Sequence, residues 1–143
     1  MLPNQPTKRV MIIDDNDIDN FITQRILHKA NFSKQVDIYN SGLEALNYLR
    51  SYATQVNKLP EVIFLDLNMP VVDGFVFLFE FEDLPLTVRE NCHVVILSGL
   101  MEKDIIDKVL KNEYVNDFVP KPLTSAALQR LTLQSKIFNR ESA

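Results

Sequence analysis

The sequence predicts an α/β fold: a doubly wound sheet of five parallel strands between two layers of helices. Two observations predict it. Short apolar runs alternate with longer stretches of helical period, the rhythm of repeated βα units. Four of the apolar runs end in residues that carry chemistry: Asp14-Asp15 after 10–13, Asp66 after 62–65, Ser98-Gly99 after 94–97 and Lys121-Pro122 after 118–120. Parallel strands set their C-terminal ends along one edge, where open α/β sheets bind ligands.

The first strand covers residues 9–13, and a helix follows over 17–30, with Ile18, Phe21, Ile22, Arg25 and Ile26 at the spacing of one face. The second strand, 35–39, is less apolar and belongs near a sheet edge. Ser41-Gly42-Leu43-Glu44 is a capping box, in which serine and glutamate satisfy each other's backbone donors, so a second helix starts there. Leu43, Leu46 and Tyr48-Leu49 give it an apolar stripe. Residues 51–60 are polar and end in proline, giving an exposed loop. It is either a contact surface or a neutral insertion, and the slow growth of closure entropy with length favours the insertion.

The third strand, 62–65, is continuously apolar and β-branched, as a central parallel strand is. Pro70 and Asp73-Gly74 mark a turn. A third helix is expected over 75–83, although Phe75, Phe77, Phe79 and Phe81 alternate at the period of a strand; the βα rhythm decides. The fourth strand, 93–97, leads to a helix over 101–112 carrying Ile105, Ile106, Val109 and Leu110. The fifth, 115–119, leads to a helix over 124–139 carrying Leu128, Leu131, Ile137 and Phe138. A flavodoxin-like strand order 2-1-3-4-5 puts strands one and three side by side. That order gathers Asp14, Asp15 and Asp66, with Ser98 and Lys121 on the same side.

The bulk properties narrow the classes. A chain of 143 residues fits one domain, with residues 1–7 as a loose N-terminal arm and 8–143 folded. A net charge of −4 and scattered lysines and arginines argue against direct nucleic-acid binding. No apolar run approaches a membrane span and no secretory signal opens the chain. The single cysteine, Cys92, fits a reducing compartment, so the expected location is the cytoplasm. Cys92 is either a reactive thiol or a buried filler, and its place at the lip of an apolar strand favours the filler.

Three carboxylates packed together repel one another unless a cation neutralises them, and Mg²⁺ suits such a site because it takes one or two carboxylates beside water and phosphate. Lys121 supplies a compact positive charge that can pair with Asp66 at rest and with an added phosphoryl group later. A carboxylate can itself attack phosphorus to form an acyl phosphate. Each piece alone has a plain structural explanation, as helix cap, turn residue or surface charge. Four of them at the ends of four strands point to one pocket.

The stretches Ile12-Ile13-Asp14-Asp15-Asn16, Leu65-Asp66-Leu67-Asn68-Met69-Pro70, Leu97-Ser98-Gly99 and Phe118-Val119-Pro120-Lys121-Pro122 resemble the receiver domains of two-component response regulators, over about residues 8–138. The resemblance implies a stand-alone signalling module rather than an enzyme. Asp66 would be the phosphoacceptor, taking its phosphoryl group from a histidine of a sensor kinase or phosphotransfer protein. Asp14 and Asp15 resemble the acidic pair that holds Mg²⁺ with Asp66 and the Asn68 carbonyl, Asp15 being the more direct ligand. Ser98 resembles the switch hydroxyl, Phe118 the switch aromatic, and Lys121 the phosphate-pairing lysine, joined to Pro122 by a cis bond.

Three departures stand out: serine in place of the commoner threonine at 98, Gly99 for alanine, and Leu100 where relatives carry a polar residue. Leu100 is expected to screen the acyl phosphate from water. Phosphorylation is expected to draw Ser98 inward, to make room for Phe118 and to repack the face of the fourth predicted helix, fifth strand and fifth helix. That face is the expected contact for a downstream protein or a homodimer; Tyr114 and Val115 fit an apolar contact there and, each taken singly, fit the core equally well. No DNA-binding or catalytic module follows the last helix, so output by protein contact or phosphoryl relay is expected. Two competing readings are weaker. A haloacid dehalogenase-type phosphatase could use Asp15-Asn16-Asp17, but it lacks the residues expected downstream and leaves Asp66 idle. A receiver-like scaffold that never takes phosphate would not keep every chemical position filled.

Overall fold

The structure is a computed structural model that describes residues 7–99 and 102–134. Its elements in chain order are β1 (Val10–Ile13), α1 (Asp17–Lys29), β2 (Val36–Tyr39), α2 (Gly42–Ser51), β3 (Val62–Leu65), α3 (Gly74–Phe81), α4 (Leu86–Asn91), β4 (His93–Ser98), α5 (Lys103–Leu110), β5 (Val115–Pro120) and α6 (Ser125–Gln134). The strands form one parallel sheet in the order β2-β1-β3-β4-β5, as the sequence predicts.

Both faces of the sheet are buried, which explains why β1 and β3 are apolar without alternation. Met11, Ile13, Ile63, Leu65, Val94 and Ile96 face one core, closed by α2, α3, α4 and α5 through Leu46, Phe77, Val88 and Val109. Val10, Ile12, Val62, Phe64, Val95 and Leu97 face the other, closed by α1 and α6 through Leu27, Leu128 and Leu131. These are the three layers of a doubly wound fold.

Several elements differ from expectation. The buried face of α1 is Asn20, Thr23 and Leu27, while Ile18 and Phe21 are 71% and 63% exposed. Both stripes have helical spacing; the Asn20 amide decides, donating to the Asp14 carbonyl at 2.9 Å and turning that side inward. A short helix unforeseen in the sequence, α4, starts behind Pro85 and buries Val88. The predicted fourth and fifth helices are therefore α5 and α6. Of the last predicted helix, residues 135–139 lie outside the described residues. The phenylalanine alternation is helical: Asp73 caps α3 by accepting from the Val76 N–H at 2.9 Å, and Phe77, Leu78 and Phe81 turn inward.

Thr7, assigned to the loose arm, is instead buried and pairs with the residues after α1 through Phe32 and Lys34. Residues 1–6 lie outside the described residues. The 51–60 loop is tied down as well: residues 56–58 form a 3-10 turn, the Tyr48 hydroxyl donates to the Lys58 carbonyl at 2.7 Å, and Ala53 and Leu59 are buried. Cys92 is a buried filler, 2% exposed. Among the described residues no helix is long and apolar enough to cross a membrane.

Candidate functional site

The site forms where the strands end, because β1 and β3 are adjacent and in register, Ile13 beside Leu65. Asp14 and Asp66 therefore leave the sheet side by side, and the Asp66 N–H donates to the Ile13 carbonyl at 2.9 Å. The chain after Asp66 is held close by α3. A Cβ on Gly74 would stand 2.6 Å from Leu67 Cα and 2.9 Å from the Asp66 carbonyl oxygen, so only glycine lets the helix start this near. On the other side, Ser98 ends β4 opposite Pro120, and the Lys121 N–H donates to the Ser98 carbonyl at 3.0 Å.

A cleft of about 410 Å³ opens over these ends, and Asp15, Asp66, Asn68, Ser98 and Lys121 all line it. Asn16, Asp19 and Gly99 complete the wall. Asp14 sits beneath, 2% exposed, with Oδ1 accepting from the Asn16 N–H at 2.9 Å and Oδ2 2.7 Å from Lys121 Nζ. Lys121 Nζ also lies 2.8 Å from Asp19 Oδ2 and 3.4 Å from Asp66 Oδ1. The Lys121–Pro122 bond is cis.

The electrostatics follow from this packing. Burial raises the Asp66 carboxyl above its ordinary range and the Asp14 charge raises it further, against the lowering pull of Lys121 and the Asn68 N–H. Burial alone would lower the Lys121 ammonium, but hydrogen bonds to Asp14 and Asp19 and the nearby charge of Asp66 outweigh it and hold Lys121 above the lysine range.

The donor set fits a hard divalent cation. One oxygen from each of Asp14, Asp15 and Asp66 lies within 4.8 Å of the other two. Both Asp14 oxygens already have partners, so Asp15 and Asp66 are the carboxylates that face the cleft. Oxygen donors of this kind suit Mg²⁺.

Ser98 is fully buried at the cleft wall. Phe118 is 9% exposed and belongs to the same core as Phe77, Phe81 and Val109. Of the two residues weighed between a partner contact and core, Val115 is buried and Tyr114 packs half-buried against the core: its ring meets Phe81 edge-on and its hydroxyl takes a hydrogen bond from Arg89 at 3.0 Å. Leu100 lies outside the described residues. Gly99 has open space around its missing Cβ, so alanine would fit there.

The residue that sequence reasoning missed is Asp19. Its signal was available: Asn16 caps α1 and Asp19 follows three positions later, where a side chain leans back toward the helix N-terminus and hence over the strand ends. Asp17, which the phosphatase reading needs, is exposed and does not line the cleft.

The chain is similar in sequence and fold to known proteins. The sequence model of the response regulator receiver domain matches residues 10–132. A response regulator receiver protein from Dyadobacter fermentans is 30% identical with a TM-score of 0.77, covering 87% of this chain and 94% of that one. A two-component response regulator from Cytophaga hutchinsonii superposes with a TM-score of 0.85 at 27% identity, covering 94% and 99%. The response regulator Rcp1 of Synechocystis is 28% identical over 104 residues, 72% of this chain and 70% of that one. An Mn²⁺-bound form of Rcp1 has been solved, with a TM-score of 0.67 at 25% identity over 87% of this chain and 90% of that one.

Proposed function

This chain belongs to the response regulator receiver family, modules that signal rather than turn over substrate and that bind Mg²⁺ in an acidic pocket, and on that premise we propose that Asp66 is its phosphoacceptor. The observation that carries the reading is the setting of Asp66. It is a 5% exposed carboxylate at the floor of a cleft, with an ammonium 3.4 Å away and the carboxylates of Asp14 and Asp15 clustered beside it.

An Asp66 oxygen attacks the phosphorus of a phosphohistidine, the P–N bond breaks, and the imidazole leaves with its electron pair. When bound, Mg²⁺ neutralises the crowded oxygens of the donor and the acceptor. Asp15 and Asp66, with the Asn68 carbonyl, would hold that cation, while Asp14 anchors Lys121 from below. Lys121 then pairs with the transferred oxygens, and Ser98 donates its hydroxyl to one of them.

The donor is a sensor histidine kinase or histidine phosphotransfer protein in the cytoplasm. The added charge biases Ser98 and Phe118, and the α5-β5-α6 face carries the change to a protein target or a second copy. Incubation with acetyl phosphate and Mg²⁺, followed by mass spectrometry, tests the reading. One added phosphoryl group on Asp66, absent from Asp66→Asn, is expected. Labelling at Asp15, with continuous release of phosphate, would favour the phosphatase instead.

A further inference from the structure

Lys121 is held by a carboxylate from outside the strand ends. Its Nζ is nearly as close to Asp19, at 2.8 Å, as to Asp14, at 2.7 Å, and farther from Asp66, at 3.4 Å. Asp19 is in the first turn of α1, its backbone N–H bonded to the Asn16 side chain at 2.9 Å, and it lines the same cleft as Asp15 and Asp66. Three carboxylates, Asp14, Asp19 and Asp66, thus lie within 3.4 Å of one ammonium, and Asp15 lines the same cleft.

We propose that Asp19 is a positioning residue that acts through Lys121: it docks the ammonium away from Asp66 in the resting domain and must yield it when a phosphoryl group arrives. This deepens the phosphoacceptor reading and rests on it. Two effects of opposite sign follow. Without the Asp19 carboxylate, Lys121 relaxes toward Asp66 and one negative charge is lost near the cation, so metal binding weakens. The same loss leaves Lys121 available to phosphoryl oxygens and removes a repelling charge from their path, so transfer becomes easier.

The test compares the wild-type protein with Asp19→Asn and Asp19→Glu. Mg²⁺ binding is measured by titration calorimetry, and Asp66 labelling by acetyl phosphate at saturating Mg²⁺ is followed by intact mass. Asp19→Asn is expected to weaken Mg²⁺ binding about threefold and to speed labelling about threefold, the scale of one partly screened charge at this range. Asp19→Glu is expected to restore both. A general loosening of the helix would impair both together. That result, or no change in either, overturns the proposal. Absence of labelling on wild-type Asp66 would defeat the phosphoacceptor reading instead; unchanged Mg²⁺ affinity in Asp19→Asn would then overturn this one independently.

Discussion

Lys121 and Asp14 form the tightest ion pair of the cleft, Nζ to Oδ2 at 2.7 Å with side chains only 17% and 3% exposed. A buried pair adds little net stability against an apolar replacement, but removing one member strands the other. Asp14 therefore depends on a lysine more than 100 residues away in sequence, and the pocket is part of what holds the two halves of the sheet edge together.

Lys121→Ala should destabilise the Mg²⁺-free protein by about 3 kcal/mol, because Asp14, Asp19 and Asp66 lose their shared counter-charge. Added Mg²⁺ should recover more stability in the variant than in the wild type, since it then neutralises a larger surplus of charge. Thermal melts with chelator and with MgCl₂ measure both. Equal gains from Mg²⁺ would contradict the assignment.

Asp66→Asn should be more stable than the wild type at pH 7 without Mg²⁺. The carboxyl of Asp66 is raised in the fold, chiefly by burial and then by Asp14, so folding favours its protonated form. Its ionised form costs stability once pH rises through that elevated value. At a pH below the ordinary carboxylate range the group is protonated folded or unfolded, and the advantage of asparagine should vanish. Denaturant titrations across acid and neutral pH check the trend; a gap that widens toward acid would refute it.

Gly74→Ala should cost about 2 kcal/mol or more, because its Cβ would meet backbone rather than a yielding side chain. The Leu67 and Asp66 backbone would have to move, so weakened Mg²⁺ binding should accompany the lost stability. Calorimetry on the folded fraction separates the two. Normal metal affinity with lowered stability would show that α3 shifts instead of the loop.

Val71→Asn should stabilise the fold by about 1 kcal/mol. Val71 is a β-branched residue at φ 63°, in the left-handed region, and is 95% exposed, so its side chain contributes almost no burial to offset the strain. Asparagine tolerates that backbone without the entropy cost of glycine, as Asn31 does at φ 50° after α1. A lowered melting temperature would mean that the loop gains more from valine than exposure suggests.

Much of this was legible in the chain. The strands declare themselves because a parallel sheet covered on both faces needs unbroken apolar runs, and Asp14, Asp15, Asp66, Ser98 and Lys121 follow those runs directly. The helix faces were harder. Ile18 and Phe21 share a spacing as good as that of Asn20, Thr23 and Leu27, and periodicity alone cannot choose between two stripes on one helix. Helix α4 was invisible because six residues behind a proline carry too few turns to show a period.

Local order in the chain thus determined which elements form, how they alternate, and which reactive groups sit at strand ends, because those depend on short-range periodicity and chain chemistry. Only the folded molecule decided which partner each charge takes. Lys121 rests between Asp14 and Asp19 rather than squarely on Asp66, since distances across a cleft are set by helix docking and burial, which contiguous residues do not encode.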